Sequence, residues 1–186
     1  PDRDGMTVCV CEKTSQHAAS PALVEGRERI GRGVYFSMHY NKAKTRITNQ
    51  FLKRRDLASG DLSVWRLGEP YGAQVEDVAA ILEESGPGGS ELSHIYYAGA
   101  ENIRFVEAAS VNADQSLCIK DDCTSGPDGE CHPAHATIGL ADVDGVDWDP
   151  DGTAFREVYE SLALLFRKSV AWTKIGPDQP LPRLPK

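Results

Sequence analysis

The chain has 186 residues, of which 40% are hydrophobic and 26% charged, and a formal net charge of −8. This is ordinary material for one packed core, and it excludes low-complexity and fibrous classes. No apolar run approaches the roughly 18 to 20 residues of a membrane span, and the five cysteines form no dense paired framework. A water-soluble protein of a reducing, cytoplasmic compartment with no membrane partner is therefore expected.

Taken in order, Met6 to Cys11 alternates like a first strand, and Cys9 and Cys11 would share one of its faces. The stretch 14–21 reads as a loop carrying a surface His17. Gly31-Arg32-Gly33 before Val34-Tyr35-Phe36 reads as a turn entering a strand. The next segment, 38–57, has helix formers with Ile47, Phe51 and Leu52 on one side, which predicts an amphipathic helix with a basic outer face. Strands are expected over 61–67, 93–98, 116–119 and 135–140, and a helix over 75–84 stopped by the glycines and proline of 86–89. Ile103 to Val106 fits either a strand or the start of a helix. Phe155, Val158, Tyr159, Leu162, Leu165, Phe166 and Val170 recur at helical spacing and predict a long helix over 153–172 lying against the sheet. The expected architecture is thus α+β, a single domain over 1–176 with a mostly antiparallel sheet packed by the C-terminal helix. A Pro-rich extended tail follows over 177–186.

Charge is unevenly distributed along this order. Residues 27–55 hold nine Lys/Arg and one acid, a net +8 in a chain of net −8, so the remainder carries −16. Such segregation points to an anion site or to internal pairing with the acidic remainder. In the first case Arg29 and Arg32, with backbone N–H groups freed by the glycines, would grip a phosphate or carboxylate of a protein or nucleotide partner. The overall acidity disfavours non-specific nucleic-acid binding.

Three further groupings carry chemistry on paper. Cys118, Cys123, Cys131 and His132, with His135 just beyond, offer enough sulfur and nitrogen donors for a tetrahedral zinc. Their spacing fits equally a Cys123–Cys131 disulfide or unrelated loop thiols. Asp147, Asp149, Asp151 and Gly152 follow the opening of a calcium loop, but position twelve is Val158 and the nearest acid, Glu157, falls one place early. An acidic turn before the last helix, capped by Asp151 or Thr153, accounts for the same residues. His94, set among aromatics, reads as a core or interface histidine.

Two resemblances attach to these residues. Gly31 to Ser37, followed by Lys42-Ala43, resembles the glycine-rich turn and strand of poly-ADP-ribose-polymerase-like transferases. That likeness implies an NAD-dependent enzyme in which Tyr35 stacks on nicotinamide and Glu91 stands in for the catalytic acid. Its upstream His-Gly pair has no counterpart here, since His17 is followed by Ala18. Four blocks, Arg32 to Phe36, Leu62-Ser63-Val64-Trp65-Arg66, Tyr97 to Arg104 and His132 to Ile138, resemble in order small uncharacterised bacterial proteins. This second likeness implies a bacterial accessory or binding module, with Arg32, Arg66, Arg104 and His135 candidates for one polar site. The two expectations are thus a module gripping an anionic partner through its basic segment and, as the alternative, an ADP-ribosyltransferase-like enzyme.

Overall fold

Strand β1, Arg29–Phe36, lies between β2, Leu62–Leu67, and β3, Glu91–Gly99, and pairs antiparallel with both. In this computed structural model residue 12 and residues 23–36, 38–69, 72–88, 90–111, 115–122 and 132–174 are described. The expected strand over 6–11 and the expected tail over 177–186 lie outside them. Among the described residues the sheet has six antiparallel strands in the order β4-β5-β2-β1-β3-β6, with β4 Leu117–Asp121, β5 His135–Leu140 and β6 Val170–Thr173. The fold is a single α+β domain, as the alternation of the strands predicts.

Alternation also divides the core. On β1 and β2, Ile30, Val34, Leu62 and Val64 join one buried cluster, while Tyr35, Trp65 and Leu67 join a second on the other face. The C-terminal helix, Thr153–Arg167, packs on the first face through Phe155, Val158, Tyr159, Leu162 and Phe166, a stripe at helical spacing. Full burial of Phe155 and Phe166 stabilises this layer by roughly 2 kcal/mol each. The helix Val75–Ser85 covers the second face with Val78 and Ala79. In chain order the helices are α1 Arg54–Ser59, α2 Val75–Ser85, α3 Ala100–Arg104 and α4 Thr153–Arg167.

Four local expectations are corrected. Gly31 and Gly33 lie inside β1, not in a turn, and neither has a positive φ. Their role is close packing: a Cβ on Gly31 would stand 2.8 Å from Leu67 Cδ1, and one on Gly33 would stand 3.1 Å from Leu82 Cδ1. Second, the helix expected over 38–57 is replaced by a loop, a 3-10 turn at Asn49–Phe51 and the short α1. Asn41 accounts for the loop, because its Oδ1 accepts from the backbone N–H of Thr45 (2.8 Å) and Arg46 (3.1 Å). A bridge between Tyr40 and Ile47 closes it. Third, the last helix ends at Arg167, and Val170–Thr173 turns back as β6 to pair with β3. Fourth, Gly152 occupies the N-cap of α4 without a side-chain cap bond, so neither Asp151 nor Thr153 caps it.

Candidate functional site

The five arginine and histidine positions expected to bind an anion separate into three environments. Arg66 is fully buried, with Nε and Nη2 donating to Glu28 at 2.6 and 2.8 Å and Nη1 donating to Asp121 at 3.0 Å. Arg104, also buried, forks onto the Glu12 carboxylate at 2.8 and 2.9 Å and donates to the Val24 carbonyl at 2.6 Å. Both guanidinium groups are thus committed to internal carboxylates and present nothing to a partner. Arg29 is exposed, lies over the Tyr97 ring at 5.7 Å, and borders an open cavity of about 380 Å³ whose lining includes the acids Glu28 and Glu69.

Arg32 and His135 do come together, through Ser63. Registered pairing between β1 and β2 ends at Gly31 and Trp65. Beyond that point the Arg32 side chain takes over, with Nε donating to the Phe51 carbonyl at 2.9 Å and Nη1 to the Ser63 carbonyl. Burial pulls its guanidinium below its ordinary value, although Asp56 and Tyr35 oppose this. Across the β2–β5 pairing, Ser63 Oγ lies 2.8 Å from His135 Nε2, and His135 Nδ1 lies 2.5 Å from the carbonyl oxygen of Asp122. A carbonyl only accepts, so Nδ1 carries the proton and Nε2 is left to accept from the Ser63 hydroxyl. Burial lowers the His135 pKa, with smaller contributions of the same sign from Arg32 and His132 and opposing ones from Asp122, and keeps the ring neutral. Trp65 meets His135 edge-on at 5.5 Å and His132 at 5.0 Å. Ser63 was not singled out in the sequence, where its one signal is a small polar residue inside the apolar run Leu62 to Leu67.

The residues of the transferase alternative are engaged differently. Tyr35 is buried, its hydroxyl donates to the Leu82 carbonyl at 3.0 Å, and a Cβ on Gly86 would touch its ring at 2.8 Å. Glu91 is an exposed strand-end residue 3.2 Å from Lys174. Next to Tyr35, His39 Nδ1 accepts the Tyr35 N–H at 3.0 Å, and burial with the nearby Arg32 and Lys53 charges pushes its pKa down to about 4. His94 is a core histidine beside Ser93 Oγ at 3.0 Å, as the sequence suggests.

Of the expected metal set, only Cys118 and His132 are among the described residues. Cys118 is disulfide-bonded, which removes its thiolate from a zinc shell, and Cys123 and Cys131 lie outside the described residues. His132 Nδ1 accepts the Ala134 N–H at 3.2 Å. No group of three or more His, Cys, Asp or Glu among the described residues is placed to hold a metal, the acidic turn before α4 included. Glu157, the misplaced acid of that turn, instead accepts from Ser110 N and Oγ, both at 2.8 Å. Nor is any described helix long and apolar enough to cross a membrane.

Within the basic segment the loop around Asn41 gathers three exposed cations, while Arg29 at the start of β1 and Arg54 and Arg55 on α1 are exposed elsewhere. Lys42, Lys44 and Arg46 are all exposed on it, and Lys44 has a φ of +54°, the left-handed region that L-residues rarely enter. Its Nζ lies 5.4 Å from the centre of the Phe36 ring. Arg167, at the end of α4, donates from Nη2 to the Ile47 carbonyl at 3.0 Å and so stands at the base of this loop. Its Nε is buried with no partner among the described residues. Burial lowers the Arg167 pKa, Tyr96 opposes this, and the Arg46 charge adds a smaller lowering, with Tyr159 opposing. By contrast Arg27 pairs with Glu25 at 2.7 Å and Lys53 with Asp56 at 3.7 Å.

Comparison of the chain with known proteins gives no matching family model, no matching curated protein and no matching solved structure.

Proposed function

We propose that this chain is a binding module that offers the Lys42-Lys44-Arg46 loop, backed by Arg167, to an anionic group on a partner protein or nucleotide. One observation carries this reading. These four cations are gathered on one loop and at its base with no carboxylate within ion-pair reach among the described residues, whereas the other unpaired cations of the basic segment, Arg29, Arg32, Arg54 and Arg55, lie on β1 and α1 away from that loop. Like charges held together without counter-charge raise the local potential, and an incoming anion relieves the repulsion. The reading narrows the basic segment to one end of β1. Arg29 starts that strand and Phe36, beneath Lys44, ends it, which separates them by roughly 23 Å at about 3.3 Å per residue. The transferase alternative is not carried forward, because Tyr35 spends its hydroxyl and part of its ring on α2 and the turn after it.

The test uses two labelled probes, an oligo-glutamate peptide and a fluorescent ADP analogue, followed by fluorescence anisotropy. Binding of at least one is expected at about 50 mM salt and should weaken several-fold at about 200 mM. Replacing Lys42, Lys44 and Arg46 together by Glu should weaken it by about tenfold or more, whereas Arg29→Glu should leave it within about twofold. Binding that follows Arg29 and ignores the loop would overturn the assignment, as would the absence of binding to either probe.

A further inference from the structure

We infer that Ser63 and His135 form a nucleophile–base pair that cleaves carboxylic esters, an activity separate from anion binding by the loop and using none of its residues. The inference stands on the arrangement of three groups. Ser63 Oγ is 2.8 Å from His135 Nε2, and the far nitrogen of the same ring is fixed by the Asp122 carbonyl at 2.5 Å. Nucleophile, base and orienting acceptor therefore form one hydrogen-bonded chain, and the tautomer is the one that leaves Nε2 free to take the serine proton. Accessibility agrees with this role. Along β2 the burial pattern leaves Ser63 as the one residue that is not buried, while its five strand neighbours from Leu62 to Leu67 are.

Two neighbours bear on the reaction. Arg32 Nη1 is spent on the carbonyl of Ser63 itself and Nε on Phe51. Arg32 leaves β1 on the face of Ile30 and Val34, opposite to that of Ser63 Oγ, so it braces the backbone of the attacking residue and its charge helps to keep His135 neutral. Trp65, edge-on to the His135 ring, supplies an apolar wall for an acyl or aryl group.

The step balances without any added oxidant or metal. Ser63 Oγ bonds to the ester carbonyl carbon while its proton passes to His135 Nε2, and the carbonyl π pair moves to oxygen. Collapse breaks the ester C–O bond, and the alcohol leaves with the proton from Nε2. Water, deprotonated by the same nitrogen, then releases the acid and restores Ser63.

A fluorophosphonate probe tests the pair directly, because an activated serine displaces its fluoride to form a P–O bond and HF. Trypsin is expected to release residues 56–66 as one peptide that carries both Ser59 and Ser63. Ser59, exposed and bonded through Oγ to the Asp56 carbonyl, is the internal control. Labelling at Ser63 and not at Ser59 is expected in native protein and should disappear in urea and in Ser63→Ala. In His135→Gln it should slow by roughly 100-fold, and p-nitrophenyl acetate turnover should fall in parallel. Absence of native labelling overturns the inference, as does equal labelling of the two serines or a rate indifferent to a folded His135→Gln. Should that variant not fold, the selectivity of the native chain for Ser63 over Ser59 decides the matter alone.

Discussion

At the scale of single residues, two arginines that look alike in the sequence have opposite physical positions. Arg66 is surrounded by carboxylates that cannot leave: Glu28, 5% exposed at its side chain, and Asp121, at 2%. Replacing it by Met would strand two buried acids, which costs more than the lost attraction itself. Arg66→Met is therefore expected to lower stability by about 3 to 5 kcal/mol, read as a shift of the urea midpoint. Adding Glu28→Gln and Asp121→Asn to the same chain should recover part of that loss, since the stranded charges go too. A fully additive loss would show that the three residues do not act as one buried unit. Arg46, by contrast, has no such commitment, and its removal should leave the midpoint nearly unmoved.

At the scale of elements, the loop 41–46 holds a backbone conflict that separates fold from function. Lys44 adopts a φ of +54°, where its Cβ crowds the backbone and costs roughly 1 to 2 kcal/mol, whereas glycine pays nothing comparable there. Lys44→Gly should leave stability unchanged or raise it by up to about 1 kcal/mol, after the lost contact with Phe36 is set against the relief. Anion affinity should fall in the same variant. A drop in both, measured by urea titration and anisotropy, would mean that the lysine serves the loop's structure. This loop also marks where the sequence misleads. Strands β2, β3, β4 and β5 and the helix α2 were legible because a period of two or of 3.6 repeats through each. The stretch 38–57 mimicked the second period, and the decisive residue was Asn41, whose side chain competes for backbone N–H groups in a way that apolar spacing does not register. Similarly, Val170 continued the helical stripe of α4, yet Val170 to Thr173 gains more by hydrogen bonding to the open edge of β3.

At the scale of the whole molecule, the excess of positive charge between residues 27 and 55 is dispersed over the surface: Arg32 alone is half-buried, Arg27 and Lys53 are paired, three cations share one loop, and Arg29, Arg54 and Arg55 lie exposed away from it. Composition showed the excess but not its partition, because that depends on which groups the fold brings alongside, such as the Phe51 and Ser63 carbonyls to Arg32. His135 was singled out in the sequence; Ser63, which it contacts, was not, since only the β2–β5 register puts the two together. The histidines give the molecule a common pH response. Burial lowers the pKa of His39 to about 4 and depresses those of His94, His132 and His135 as well. In the unfolded chain each titrates near 6.5. Between those limits the unfolded state takes up protons that the native state refuses, so stability is complete above about pH 6.5 and is lost as pH falls toward 4. For His39 the refusal has a visible cause, because protonating Nδ1 means giving up the Tyr35 N–H. Urea midpoints should therefore decline steadily from about pH 7 to about pH 4.5, at no more than ~1.4 kcal/mol per pH unit for each histidine. His39→Gln, which retains an acceptor for that N–H but does not titrate, should flatten the decline, and a profile identical to that of the unsubstituted chain would remove His39 from the account.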